Sequence, residues 1–229
     1  MQKPVAFFDV DGTLFRSSLL IELVKELVKV GAFPGDAAQS YAAAHQAWQS
    51  REGTYDSYIQ AVIQTFLRHL QGVNHVILAD VGKQVVALQS KHVYTFTRDY
   101  IAKLKQEGYV LIAISQSPKI VLDEFCRQYG FDKVYGRIYE VGLDDCFTGV
   151  ITDECLIENK ASIVKRVFDT NSDLTQVGSI AVGDTDGDIP LLESVEQPIC
   201  FNPNQILFDH ASQHGWLVVV ERKDVVYHL

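Results

Sequence analysis

The stretch Val5-Ala6-Phe7-Phe8-Asp9-Val10-Asp11-Gly12-Thr13 decides how the rest of the chain reads. Four apolar residues run straight into two aspartates and a glycine, the pattern of a buried strand ending in a polar turn. The pattern recurs twice. Residues 110–114 run into Ser115-Gln116-Ser117-Pro118, and residues 179–182 run into Gly183-Asp184-Thr185-Asp186-Gly187-Asp188. Shorter apolar runs at 199–201 and 217–220, and a weaker one at 133–138, add further strands. Helical patterns at 97–107, 118–129, 160–168 and 204–214 separate them. Strands alternating with helices of this length predict βαβ units and an α/β fold built on a parallel sheet. In an open parallel sheet the carboxyl ends of the strands share one edge, and ligands bind there. Asp9, Asp11, Ser115, Asp184 and Asp188 are therefore expected to converge, although they lie far apart in sequence.

One stretch breaks the alternation. Residues 17–90 hold no convincing strand and accommodate four helical segments, 19–30, 36–50, 55–70 and 75–89, with breaks at 31–35, 51–54 and 71–74 that each contain glycine. Ala37, Ala38, Ala42, Ala43, Ala44 and Ala47 add helix propensity. The expected division is an α/β core of residues 1–16 and 91–229 carrying an inserted all-α subdomain, 17–90. A smaller interruption at 138–151 has apolar ends around Gly142-Leu143-Asp144-Asp145 and Thr148-Gly149, which predicts a β-hairpin.

Composition removes several function classes. At 229 residues, 47% hydrophobic and 21% charged, the chain is globular rather than disordered. Twenty basic against 29 acidic residues leave a net charge of −9, which argues against a nucleic-acid partner and an anionic membrane surface. No apolar run reaches the roughly 18–20 residues of a spanning helix. Asp9 interrupts the N-terminal apolar run, so no export signal is indicated and a cytoplasmic protein is expected. Cys126, Cys146, Cys155 and Cys200 form no C-x-x-C pair and read as free thiols.

Several carboxylates at one strand edge repel one another, so a cation must hold them ionised. Mg²⁺ suits this task because it accepts a few carboxylates and keeps waters for a phosphate. A calcium hand is excluded: counted from Asp184, position 6 is Ile189 and position 12 is Val195; from Asp9 they are Leu14 and Leu20. Asn159 reads as a helix N-cap that puts Lys160 in the first turn, where a lysine opposes the helix dipole unless an anion is near. Ser117-Pro118 reads as an N-cap followed by proline at the first helical position. Strand-end aspartates, a hydroxyl, a lysine and a metal are the parts of a phosphoryl-transfer site.

Asp9-Val10-Asp11-Gly12-Thr13 resembles the DxDx[TV] signature of the haloacid-dehalogenase (HAD) superfamily. Ser115 resembles its second motif, Lys160 its third, and Gly183-Asp184-Thr185-Asp186-Gly187-Asp188 its GDxxxD fourth motif, all in order. The helical insert is similar to the C1 cap of the phosphoserine-phosphatase-like branch, subfamily IB, as are Phe147-Thr148-Gly149, residues 199–203 and His214-Gly215-Trp216. The resemblance implies a HAD-like core built on a Rossmann-like parallel sheet, and a Mg²⁺-dependent phosphatase acting on a small phosphate ester. It implies Asp9 as nucleophile and Asp11 as acid and base. Mg²⁺ would rest on Asp9, the carbonyl of Asp11 and Asp184, with Asp188 in support, while Ser115, Gln116 and Lys160 bind the phosphorylated substrate. A phosphotransferase or mutase using the same two aspartates is the alternative. Phosphoserine phosphatases proper usually carry SGG and GDGxND where this chain has Ser115-Gln116-Ser117 and Gly187, so phosphoserine is not the favoured substrate. Asp186 exceeds the pattern and reads as solvated or supporting.

Within the expected cap, Tyr41, His45 and Trp48 share one helical stripe. It reads first as packing between helices, and alternatively as an aromatic wall over the leaving group with Arg51 facing a second anionic group. Arg16 and Glu22 are placed to line the entrance. The histidines show no metal-ligand spacing. A response-regulator-like receiver also uses a strand-end Asp, Mg²⁺ and a Lys, but is shorter and lacks a helical insert.

Overall fold

A computed structural model of the protein describes residues 2–152, 157 and 159–229. Its centre is a mixed eight-stranded sheet in the order β4-β3-β2-β1-β5-β6-β7-β8. The strands are β1 (Lys3–Asp9), β2 (Val110–Pro118), β3 (Lys133–Val141), β4 (Phe147–Thr152), β5 (Leu174–Gly183), β6 (Gln197–Phe201), β7 (Leu217–Arg222) and β8 (Val225–His228). The six central strands from β3 to β7 are parallel; β4 and β8 close the edges antiparallel. Thus β1 lies between β2 and β5, and the three strands that end in polar turns are neighbours.

Side chains of β1 alternate between two cores, as strand geometry requires. Val5 and Phe7 face the helices α7 (Lys160–Thr170), α8 (Ile189–Leu192) and α9 (Gln205–His214), while Ala6 and Phe8 face α5 (Thr95–Gln106) and α6 (Lys119–Tyr129). Both faces are covered, which explains why the central strands read as continuous apolar runs.

Residues 17–90 fold into α1 (Leu19–Lys29), α2 (Gln39–Gln49), α3 (Tyr55–Leu70) and α4 (His75–Gln89). Thr54 and Asn74 cap α3 and α4 through their side chains, accepting from Ser57 N at 3.1 Å and Val76 N at 2.9 Å. One apolar cluster runs without a break from Phe8 through Leu14, Phe15 and Leu19 to Phe66 and Leu70. The hairpin expected at 138–151 forms between β3 and β4, with Tyr139 opposite Ile151, and packs against the insert: Phe66 meets Tyr139 edge-on at 5.4 Å.

Three details differ from the sequence reading. Strand β8 forms although no separate run announced it; all of it but Val226 is exposed. Helix α6 begins at Lys119 with Pro118 at the N-cap, so β2 continues through Ser117. Pro118 has an extended ψ of 128° and no N–H, which moves the helix start one residue past the expected cap at Ser117. Helix α5 begins at Thr95, two residues early, because Glu221 of β7 accepts from Thr95 N at 3.1 Å and Phe96 N at 2.8 Å, while its N-cap Tyr94 has no side-chain acceptor. Cys126, Cys146 and Cys200 are free thiols, as expected; Cys155 lies outside the described residues.

Glu221→Ala leaves two helix-terminal N–H groups to water and is expected to lower stability by about 1–2 kcal/mol. The midpoint of denaturant unfolding should fall at unchanged slope; an unmoved midpoint would show that this carboxylate is not the cap.

Candidate active site

Asp9 closes β1 at the sheet's centre and is buried. After Val10 and Asp11 the chain turns sharply, with Gly12 N donating to Phe15 O at 2.9 Å and Leu14 N to Val10 O at 3.0 Å. Gly12 has φ +89°, and a Cβ there would stand 2.1 Å from Asp184 Oδ2. Only glycine lets this loop pass so near the loop after β5. Thr13 Oγ1 then donates to Asp184 Oδ1 at 3.1 Å, tying the two loops together.

Asp9, Asp184 and Asp188 form a triad in which each offers an oxygen within 4.8 Å of the others. Asn159 caps α7 as expected, accepting from Ser162 N at 3.4 Å, and this turn carries Lys160 into the site. Lys160 is buried, with its Nζ donating to Asp9 Oδ1 at 2.6 Å and Asp188 Oδ1 at 2.5 Å. The other oxygen of Asp188 accepts from the backbone of Asp184 at 3.0 Å and of Thr185 at 3.1 Å. Thr185 and Asp188 form a capping box around the short 3₁₀ turn Asp186–Asp188.

Burial raises the Asp9 carboxyl to about 7, with Asp188 and Asp11 adding to the rise and Lys160 opposing it. Asp184 is pushed well up by burial and by Asp9 and Asp188. Burial pulls the Lys160 ammonium down, but Asp188 and Asp9 outweigh it and hold Lys160 firmly protonated. One positive charge therefore faces three carboxylates, and Asp9 Oδ2 is buried with no hydrogen-bond partner. An all-oxygen donor set with a surplus of negative charge and an orphaned carboxylate oxygen fits a hard divalent cation such as Mg²⁺.

The Asp11 carboxylate lies outside this triad. Its Oδ1 accepts from Leu19 N, the first residue of α1, at 2.6 Å, and its Oδ2 accepts from Ser115 Oγ at 2.5 Å. Ser115 Oγ in turn accepts from Ser117 N at 2.9 Å. Burial raises the Asp11 carboxyl, against the hydrogen bonds from Ser115 and Leu19 that favour its ionised form. Gln116 is exposed at the strand end and accepts from Arg137 Nη2 of β3 at 3.3 Å; no hydrogen bond joins it to the carboxylates. Asp186 is exposed and bonded by Asn204 Nδ2 at 2.6 Å, away from the triad. Of the entrance residues, Glu22 pairs with Lys25 at 2.9 Å and Arg16 lies over the Tyr94 ring at 5.2 Å.

Sequence reasoning left four participants without a role. Thr13 holds Asp184, Thr185 holds Asp188, Asn204 N donates to Asp184 O at 2.9 Å, and the Tyr55 phenol lies within electrostatic reach of Asp11, Asp184 and Asp9. The spacing of Thr185 and Asp188 is a capping-box signal that was legible; Tyr55 has none.

Gly12→Ala is expected to cost about 1–3 kcal/mol for the left-handed backbone alone and to displace Asp184. Calorimetric Mg²⁺ titration should show weakened binding alongside the lost stability. Wild-type values for both would contradict the close approach.

A family model described as haloacid dehalogenase-like hydrolase matches residues 6–193. The chain is 25% identical over 222 residues to a histidinol-phosphatase of Neisseria meningitidis, covering 95% of this chain and 98% of that protein. It is 22% identical to the phosphoserine phosphatase SerB1 of Mycobacterium tuberculosis, covering 92% and 68%. A crystal structure of a protein of unknown function from Bordetella pertussis Tohama I superposes with a TM-score of 0.74 at 22% identity, covering 95% of this chain and 98% of that one. A phosphoserine phosphatase carrying a phospho-aspartyl intermediate analogue superposes at 0.64 and 20%, covering 98% and 96%. Among the described residues, no helix is long and apolar enough to cross a membrane.

Proposed function

The chain belongs to the haloacid dehalogenase-like hydrolases, and we propose that it is a Mg²⁺-dependent phosphatase that hydrolyses a small phosphomonoester through an aspartyl-phosphate on Asp9. The observation that carries this reading is the contrast between two neighbouring aspartates, one buried and one half-buried. Asp9 keeps one oxygen without a partner beside a lysine, whereas both oxygens of Asp11 are held by donors. The first suits a nucleophile, the second a positioned acid and base.

In the proposed reaction an Asp9 oxygen attacks phosphorus, and the P–O bond to the alcohol breaks. Asp11, raised by burial, supplies the proton that the leaving alkoxide takes. The resulting carboxylate then accepts a proton from water, whose oxygen attacks the phosphorus of the aspartyl-phosphate and restores Asp9. Ser115 and Lys160 already donate to Asp11 and Asp9, so each can turn a hydrogen bond to a phosphoryl oxygen without moving far. Asp9, Asp184 and the backbone carbonyl of Asp11 would hold Mg²⁺, with Asp188 anchoring Lys160 and supporting the site. Bound Mg²⁺ supplies neutralisation of the carboxylates and of the phosphoryl charge. Gln116, at the open end of β2, would contact the alcohol side of the substrate.

Residues 17–90 are proposed as the cap over this site, borne by the core of residues 1–16 and 91–229. Support comes from Asp11, bonded to the first residue of α1, and from Tyr55, close to the carboxylates. The net charge and the free thiols favour a cytoplasmic setting.

Asp9→Asn is expected to abolish phosphate release from a panel of phosphomonoesters while far-ultraviolet circular dichroism stays native. Turnover in that variant would remove Asp9 as nucleophile. Thorough chelation should silence the wild type and added Mg²⁺ restore it; activity that survives chelation would overturn the metal requirement. Asp11→Asn should slow hydrolysis of an alkyl phosphate by about 10²–10⁴-fold, and less for a phenolic ester that leaves without a proton. Equal losses on both esters would contradict the acid role.

A further inference from the structure

The insert presents aromatic surface that its own packing does not cover. Of the ring cluster in α2 and α3, Tyr41 and Tyr58 are buried, but Trp48 and Tyr55 stay 39% and 37% exposed. The cluster is ordered by its own contacts. Trp48 stacks on Tyr58 with centroids 5.6 Å apart and 15° between planes, Tyr55 meets Trp48 edge-on at 5.4 Å, and His45 lies 4.7 Å from Tyr58. Trp48, Arg51 and Tyr55 line an open cleft of about 800 Å³. Tyr55 borders that cleft, and its phenol is raised first by burial and then by the charges of Asp11, Asp184 and Asp9, which are within electrostatic range of it. Arg51 stands at the turn between α2 and α3 with φ +61° and lines the cleft. Two half-exposed rings braced from behind, with a planar cation beside them, are a stacking surface rather than a gap in packing.

We propose that this wall selects phosphomonoesters whose alcohol carries a planar aromatic or heteroaromatic ring, stacked on Trp48 and flanked by Tyr55 and Arg51. The inference rests on the phosphomonoesterase reading above and names its substrate class. With the phosphate at Asp9, a ring a few bonds away covers the indole, where an aliphatic chain of equal size would cover it without face-to-face contact. Tyr41, which heads the same stripe, serves packing, so the stripe divides between the two roles that its spacing allowed.

The test compares 3-phenylpropyl phosphate with 3-cyclohexylpropyl phosphate, which match in reach and apolar bulk but differ in flatness. Wild type is expected to favour the phenyl ester by roughly tenfold in kcat/KM, expressed in KM. Trp48→Phe should keep most of that preference, and Trp48→Leu, which retains apolar bulk, should lose it. Binding is read independently in the inert Asp9→Asn protein. The chain has two tryptophans, and Trp216 packs beside His210 and His214 away from the carboxylates. Quenching by the phenyl ester that disappears in Asp9→Asn/Trp48→Phe therefore reports Trp48. Equal hydrolysis of the two esters overturns the ring preference and leaves the phosphomonoesterase reading standing. Quenching of Trp48 without hydrolysis of either ester by wild type overturns the phosphomonoesterase reading and keeps the ring site. Hydrolysis of the phenyl ester without quenching overturns the stacking assignment.

Discussion

Asp9 and Asp188 can be buried beside the half-buried Asp184 because Lys160 is buried against both of them. Like charges a few ångströms apart in a poorly solvated site each push the others toward protonation, and desolvation adds to the effect. Lys160 offsets this by donating to Asp9 and Asp188 at once, while backbone N–H groups satisfy the far side of Asp188. The rest of the architecture serves that contact. The adjacency of β1 and β5 brings Asp9 beside the loop that bears Asp184, and the cap at Asn159 fixes the turn from which Lys160 reaches inward. Gly12 and Gly183 allow the carboxylates to come close: a Cβ at Gly183 would meet Asp188 Cβ at 2.5 Å.

A second consequence is that the site is organised before any ligand enters. The donors that face the expected phosphate position already have partners of like chemistry, so binding exchanges one oxygen acceptor for another instead of ordering loose side chains. The positive charge that the triad lacks is what the proposed Mg²⁺ would supply.

What could be read from the sequence was whatever leaves a local trace. A strand that ends in Asp9-Val10-Asp11, or one that ends in Gly183-Asp184, shows both its burial and its polar terminus within a few residues. Helices at 55–70 and 75–89 are announced by apolar period and capping residues. The parallel pairing of the central strands follows from the alternation of strands and helices, although their order does not. The missing parts depend on contacts across the fold. Glu221 caps α5 from 125 residues away, and nothing around either position signals it. The same holds for Asp11, whose partner Leu19 looked like the start of an ordinary amphipathic helix. Tyr55 sits in a sequence that reads as a helix start, and nothing there signals that the charges of Asp11, Asp184 and Asp9 reach its phenol. Ser117 failed as an N-cap for a local reason, since the proline that favours a helix start also suits the end of an extended segment.

The four inserted helices are unequally anchored. Helices α1 and α4 contribute Leu19, Leu23, Leu27, Val81 and Val85 to the apolar cluster that includes Phe8 of the sheet. Helix α2 buries only Tyr41 along its length and is held by ring contacts to α3. Segments with so few buried contacts open locally at a small fraction of the free energy of global unfolding. The proposed stacking surface is thus carried by the part of the chain whose alteration costs the whole fold least. On the proposed function, substitutions in α2 would retune the choice of ester with little loss of folding stability, while Asp9 and Asp188 stay locked at the sheet edge. Divergence among such enzymes is then cheapest at the segment between residues 39 and 55, which separates the inheritance of chemistry from the inheritance of substrate.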